Sequence, residues 1–376
     1  MRLCLDPISA QQGNDRFESL ADSKRLSYNM KKSFVVIMGK KKQREELKKQ
    51  FEENPPKIYG IPLKIVDQQS YLGEELGPTV SESITLTINK RIGIATKAMY
   101  DIKTIIEDIR CKVPGGIRTA VTLWECCVIP FLLNNCSSWM RIRRSDMDRL
   151  DKFHNLFLNN ILGTFNCPIS LMYWDLCMLT MHHRILKEKL VLFHHISCLP
   201  HASLAGQFLV LQQRLHFPGI TDEVQGFLNR HEIVDVRKYT KIKWKNMIKR
   251  LIKGENRDFL IKTSQKYKEI DYLSLADEEY ETKDYFSKYD LAKARIKFKQ
   301  RSNCMTYCKM HSPSDKLNIE TLFECPEGCG FQDSIFHWRR CRAYEHLRNN
   351  KNLDNEFDLL SYYQNIINLR KQEQSN

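Results

Sequence analysis

Cys325, Cys329, His337 and Cys341 form a C-x3-C-x7-H-x3-C series near the carboxyl end of the chain. Three thiols and an imidazole in that order are the donor set of a tetrahedral structural zinc site, and Zn2+ is the cofactor they call for. Gly328 and Gly330 flank Cys329 and supply the backbone freedom that a tight ligand turn needs. Phe331, Phe336 and Trp338 offer ring faces for stacking, while Arg339, Arg340 and Arg342 offer phosphate contacts. Small zinc modules of this kind commonly grip nucleic acid. The competing reading is coincidence. The chain holds 13 cysteines, and Cys304-x3-Cys308-x2-His311 shows how readily such spacings arise, although that set lacks a fourth ligand in sequence.

The charge balance points to the same class of partner. Over 376 residues, 59 Lys+Arg stand against 45 Asp+Glu, a formal charge of +14 that favours polyanions, RNA or DNA above all. A membrane span is not expected. The longest apolar run, Cys126 to Leu133, is interrupted by Pro130, whereas a spanning helix needs about 20 apolar residues. Asp6, Gln11 and Gln12 interrupt any signal-like apolar region at the amino terminus. An odd number of scattered cysteines is unlike a secreted disulfide framework, so the expected compartment is nuclear or cytoplasmic. Cys126, Cys127 and Cys198 stand among apolar neighbours and read as buried, inert thiols.

The elements that must position these residues follow from periodicity. The β signals are confined to the first 75 residues. Ser33 to Met38 is a β-branched run closed by Gly39, Lys40 to Arg44 opens a charged helix, and the stretch from Lys57 to Val66 suggests a hairpin. From about residue 80 the period changes to that of helices. Ile84, Ile88, Ile92, Ile94 and Ala98 fit one helix capped by Ser81 or Ser83. Ile117 to Phe131, Met147 to Ile161 and Met181 to Phe193 give three more. Arg237, Lys238, Lys241, Lys245, Lys249 and Arg250 cover the faces of a basic helix whose apolar stripe is Ile242, Trp244, Ile248, Leu251 and Ile252, with Gly254 as its stop. Lys293, Arg295, Lys297, Lys299 and Arg301 repeat the pattern, and both groups suit either a solvated face or phosphate. The fold class is α+β and mostly α-helical: a β region over 1–78, a helical bundle over 79–200, a basic helical connector over 201–300 and a zinc-knuckle region over 301–376.

Other chemistries find no constellation. His231-Glu232 lacks the second histidine of a zinc-protease helix, and Asp277-Glu278-Glu279 reads as an acidic helix start or loop. No Gly-rich phosphate loop or nucleophile elbow is present, and no small-molecule substrate is indicated. His182-His183 and His194-His195 sit on apolar helical stretches and read as structural.

Three further segments, taken with the knuckle, resemble the reverse transcriptases of non-LTR retrotransposons. Arg25 to Ser33 running into a β-run and Gly39 looks like the piece that follows the catalytic strand in that family, with Asn29 and Lys32 at its Asn and Lys positions. Tyr71-Leu72-Gly73 resembles the hairpin that grips the primer end, and Ser81 to Ile106 resembles the first thumb helix. Cys325 to Cys341, followed by Arg342-Ala343-Tyr344, is similar to the family's carboxyl-terminal zinc knuckle. Its last gap departs from the pattern, being three residues where the family often has four. The resemblance implies a palm remnant, a helical thumb, a basic connector and a knuckle, with Lys32, Tyr71, Leu72, Gly73 and the basic residues on RNA or DNA.

The same resemblance implies what this chain does not do. Nucleotidyl transfer in the family needs carboxylates holding two Mg2+ ions, including an adjacent Asp-Asp pair. The sequence contains no adjacent Asp-Asp, and Asp6, Asp15 and Asp22 lack the aromatic-Ala-Asp-Asp context. Mg2+ and polymerase chemistry are therefore not expected. The expected function is nucleic-acid binding without catalysis. One alternative is a non-enzymatic helical interaction scaffold. Another is an RNA-directed DNA polymerase whose catalytic part is missing from the gene model, which a search upstream for that motif would reveal.

Overall fold

A computed structural model describes residues 6–108, 114–164, 167–200, 202–215, 219–265, 278–302, 325, 327–329, 335–348 and 351–373. Cys304, Cys308, His311, Asp277, Gly330, Phe331 and the ring of Phe336 lie outside the described residues.

The chain opens with a helix the sequence patterns did not suggest, α1 (Pro7–Ser23). Asp6 starts it: its carboxylate accepts from the Ser9 amide at 2.7 Å and the Ser9 hydroxyl accepts from the Asp6 amide at 3.3 Å. With Pro7 at the first helical position, this is a reciprocal capping box.

Six short strands follow, all between residues 34 and 76 among the described residues. β1 (Phe34–Val36) leads into α2 (Lys41–Glu53), and β2 (Lys57–Ile58) turns through Tyr59 and Gly60 into antiparallel β3 (Ile61–Pro62). The expected hairpin over 57–66 is only half correct. Pro62 has no N–H to extend the ladder, and β4 (Lys64–Val66) instead pairs parallel with β1, Val35 opposite Ile65 and Val36 opposite Val66. β5 (Gln69–Tyr71) and β6 (Glu74–Leu76) form a second hairpin, with Leu72 at φ 49° and Gly73 at φ 81° between them. Two central residues at positive φ match the twist of a tight hairpin.

The remainder is helical. α3 (Val80–Asp108) is capped by Thr79, whose hydroxyl accepts from the Glu82 amide at 3.2 Å; Ser81 and Ser83 lie inside the helix rather than at its cap. Its buried stripe runs through Ile84, Ile88, Ala95, Met99, Ile102 and Ile106, leaving Ile94 on the solvent side. The apolar run from 117 to 131 is divided into α4 (Gly116–Leu123), a wide π turn (Trp124–Val128) and α5 (Ile129–Leu132). Pro130, which cannot donate to the helix ladder, accounts for the break. Trp124 and Val128 face inward, so Cys126 and Cys127 are exposed, as is Cys198; the expectation of buried thiols fails at all three.

α6 (Arg144–Leu162) ends at Gly163 in the left-handed region. It is followed by α7 (Ile169–Asp175), α8 (Met181–Ser197), α9 (Leu204–Leu215), α10 (Ile220–Arg230) and α11 (Lys241–Ser264). α11 does not stop at Gly254, because Asn256, Leu260 and Ser264 beyond it are buried, and that packing outweighs the roughly 1 kcal/mol cost of a mid-helix glycine. Then come α12 (Tyr285–Lys288), α13 (Leu291–Arg301), α14 (Ile335–Trp338), α15 (Glu345–Arg348) and α16 (Glu356–Glu373). No described helix is long and apolar enough to cross a membrane.

Two apolar cores hold these helices. The larger joins α3 to the start of α8 with α12, α13, Cys325, Trp338, Cys341, Tyr344 and α16; the smaller joins the rest of α8 to α9, α10 and the first half of α11. Core membership therefore does not change at residue 200 or 300. Among the described residues, none from 6 to 76 belongs to either core.

Candidate metal centre and basic surface

Local turns bring the four zinc-type donors together. Gly328, at φ 69°, gives its amide to the Cys325 carbonyl at 3.0 Å and turns the chain so that Cys329 faces back. His337 sits on α14, and the amides of Arg340 and Cys341 both donate to its carbonyl at 2.8 Å. The three-residue gap is thus one tight turn. All four donor atoms lie within 4.8 Å of one another. Sγ of Cys341 is 4.0 Å from Sγ of Cys325 and 3.5 Å from Sγ of Cys329, and Sγ of Cys329 is 3.0 Å from Nε2 of His337. Zn–S bonds of about 2.3 Å at tetrahedral angles place sulfurs about 3.8 Å apart. The cage therefore has zinc dimensions.

Its electrostatics also call for a cation. Burial pushes the Cys325 thiol up to about 12, with the adjacent Cys329 thiol adding to the effect, and burial raises the Cys341 thiol too. These two buried thiols resist ionisation unless a divalent ion compensates them. Cys325, Cys329, His337 and Cys341 would hold that ion, and with four protein donors it would supply structure rather than an open position for a reacting water.

What surrounds the cage alters the expected role of Trp338. Its ring is fully buried, with the Arg370 guanidinium 4.6 Å from its centroid and its carbonyl accepting from the Tyr362 hydroxyl at 2.6 Å. Tyr344 donates to Glu327 at 2.8 Å and accepts from Arg370 Nε at 2.6 Å. Trp338 therefore offers no stacking face, because α16 covers it. Arg339, Arg340 and Arg342 remain exposed. The sequence patterns missed α16 although its signals are present: Asn355 Oδ1 accepts from the Phe357 amide at 2.9 Å as a cap, and Leu359, Leu360, Tyr362, Tyr363, Ile366 and Ile367 follow at helical spacing.

The two basic helices separate sharply. On α11, Trp244, Ile248 and Ile252 are buried, and the Trp244 ring donates to the Leu190 carbonyl at 3.0 Å. Ile242 is exposed and is not part of that stripe. Lys241, Lys243, Lys245, Lys249 and Arg250 point to solvent, and none has a carboxylate within ion-pair distance among the described residues. Before the helix, Lys238 is exposed and Arg237 is paired with Asp235 at 3.2 Å. α13 is different. Lys293 pairs with Asp290, Lys297 with Glu356, and Arg301 with Asp175 and Glu278, while Arg295 donates to the carbonyls of Ile161 and Asn160. Those four cations serve the fold, which fits neither the solvated face nor the phosphate-facing role that the sequence left open for α13.

The Tyr71-Leu72-Gly73 turn projects Leu72 into solvent on a rigid base. Arg91 of α3, itself buried, donates to the Gly73 carbonyl at 2.9 Å and to Glu74 at 2.8 Å. Trp139 donates to the other Glu74 oxygen at 3.2 Å and lies under the Arg91 guanidinium. Arg91 was legible only as part of a helix; its anchoring role was not. Lys32 is exposed in a short turn before β1.

Several of the carboxylates and histidines singled out in the sequence are engaged locally. Asp6 caps α1, and Asp15 and Asp22 lie on it, accepting from Gln11 and from the Tyr59 hydroxyl. His183 bonds the Thr180 hydroxyl at 2.7 Å and burial holds its pKa down to about 4; His194 bonds the Tyr239 carbonyl at 2.9 Å, and His231 pairs with Glu255. No protein-family model, curated protein or solved structure matches this chain.

Proposed function

We propose that this protein binds RNA or DNA through the outer face of α11, while a zinc ion at Cys325, Cys329, His337 and Cys341 fixes its carboxyl-terminal unit. The observation that carries the reading is the contrast between α11 and α13. Two helices of similar basic composition differ in that four cations of one are engaged within the fold and the other presents five without carboxylate partners among the described residues. Uncompensated cations in a row cost self-repulsion, which a polyanion relieves with release of its counterions. Arg339, Arg340 and Arg342 extend the same chemistry at the knuckle. The reading includes the resemblance to a non-LTR retrotransposon reverse transcriptase, with holding of template or target rather than nucleotidyl transfer as this chain's part, since no adjacent aspartate pair is present.

Binding of a labelled oligonucleotide across a salt series tests it. Five phosphate contacts predict a slope of log K against log salt of about −4.5 on duplex and about −3.5 on single strands. K245E/K249E/R250E should flatten that slope by more than half without loss of helix content; an unchanged slope refutes the assignment. A second reading, a protein-interaction scaffold, is favoured by one observation. Leu204, Phe208, Leu211 and Leu215 form an exposed apolar stripe on α9, with Leu204 84% accessible. Absence of both bound zinc and salt-dependent binding would favour the scaffold.

A further inference from the structure

A cavity of about 190 Å3 lies between α2 and the end of β4, apart from both the basic helix and the metal centre. Lys41, Arg44, Glu45 and Lys48 line it along α2, and Val66 and Asp67 line it from the strand. β1 and β4 run parallel in register, so both end at this edge. The space beyond the carboxyl ends of parallel strands is where open α/β units place their ligands.

The charges in the lining are unevenly matched. Lys48 is 3.6 Å from Asp67. Lys41 has no carboxylate partner among the described residues, and neither does Arg44, whose Nε is buried without a hydrogen-bond acceptor. Glu45, the next residue along the helix, forms no ion pair with Arg44. Lys41 and Arg44 therefore bring to the cavity positive charge that no described carboxylate compensates, and an entering anion would compensate it. Ile37, Ile65 and Val66 supply apolar walls that strengthen such a contact. The lining contains three cations against two carboxylates, which suits one small anion and not a long polyanion.

We propose that this cavity binds a phosphate group, with the half-buried Arg44 guanidinium as its forked donor and Lys41 and Lys48 as its counter-charges. The volume is below the roughly 300 Å3 at which pockets begin to enclose drug-sized ligands. The group therefore enters alone, as free phosphate, or as the terminal phosphomonoester of a chain that stays in solvent.

Titration of the full chain with inorganic phosphate, followed by calorimetry and by amide shifts over residues 37–48, tests the site against a chloride control. Wild-type protein should bind, R44Q should weaken binding by about tenfold, as expected for loss of a charge-assisted bond, and K245E/K249E/R250E should leave it unchanged. K41Q, altering an exposed residue, should weaken it severalfold and guards against a folding defect in R44Q. In the K245E/K249E/R250E background, tighter and Arg44-dependent binding of a 5′-phosphorylated oligonucleotide over its 5′-hydroxyl counterpart would identify a terminal phosphate as the occupant. Response to inorganic phosphate alone would identify the free ion. No phosphate-dependent shift over 37–48, or equal affinity in R44Q and K41Q, overturns the proposal.

Discussion

Removing the metal should release the carboxyl-terminal unit while the larger helical core persists. Cys325, Trp338, Cys341 and Tyr344 are buried together, and each polar contact around them starts from a turn that the cage closes: Tyr362 to the Trp338 carbonyl, Arg348 to the Cys341 carbonyl at 2.9 Å, and Arg370 to Tyr344. Linkage sets the size of the effect. At free zinc about 1,000 times its Kd, the ion stabilises the state that binds it by about 4.1 kcal/mol. Amides that open with the cage should then exchange about 1,000-fold faster once a chelator has stripped the metal. Hydrogen exchange by mass spectrometry should show this over 335–348 and the first turns of α16, with little change in α3 and α6. Trp338 is one of five tryptophans, all buried, so emission should shift red by a fraction of the fully unfolded change. C341A should reproduce both effects without chelator. If protein purified with one equivalent of zinc exchanges at the same rate over 335–348 after stripping, the metal is not what holds this unit, and the reasoning fails.

Three further outcomes follow from individual residues. Burial raises Asp151 from the usual carboxylate range to about 6, so its proton is held more tightly in the folded state; stability is fully present below about pH 4 and is lost as pH rises through 6. Asp151→Asn, which keeps an acceptor for the Met181 amide, should stabilise the protein at pH 7 by up to about 3 kcal/mol and abolish that slope in denaturant unfolding. Gly254→Ala fills open space on a helix that already continues past this position, and should raise stability by about 0.5–1 kcal/mol, seen as a higher Tm. K297E, which places like charge against Glu356, should destabilise the fold by about 1–3 kcal/mol while leaving the salt slope of nucleic-acid binding intact, the reverse of the pattern expected on α11.

Much of the architecture was legible because local rules and packing agree. The change of period near residue 80, the stop at Gly163 and the buried stripe of α11 all follow from residue spacing, and the cage follows from ligand identity. What was not legible depends on distant partners. Nothing in Lys297 and Arg301 announces that Glu356 and Asp175 will meet them, since those carboxylates lie 59 and 126 residues away in sequence. Trp338 reads as a stacking ring until α16 arrives to bury it. Cys126 and Cys127 read as core until Pro130 and the π turn set which face of that segment turns inward.

These two corrections act together on the functional reading. A knuckle that floats on a linker can present its aromatic residues to bases; one whose tryptophan, tyrosine and two thiols belong to the main core cannot do so without unfolding. The cage is then a staple for α16, and α16 in turn supplies Glu356 to Lys297. With the pairs of Lys293 to Asp290 and of Arg301 to Asp175 and Glu278, that ion pair engages α13 within the fold, whereas the cations of α11 face solvent without carboxylate partners among the described residues. Base-stacking readout through Trp338 does not fit this arrangement, and on the proposed reading the basic face of α11 contacts backbone phosphate. Recognition by this surface should therefore be weakly dependent on sequence and strongly dependent on salt. A binding constant that varied more than about tenfold among oligonucleotides of equal length at fixed salt, equivalent to about 1.4 kcal/mol of base discrimination, would require a base-reading element beyond the described basic face.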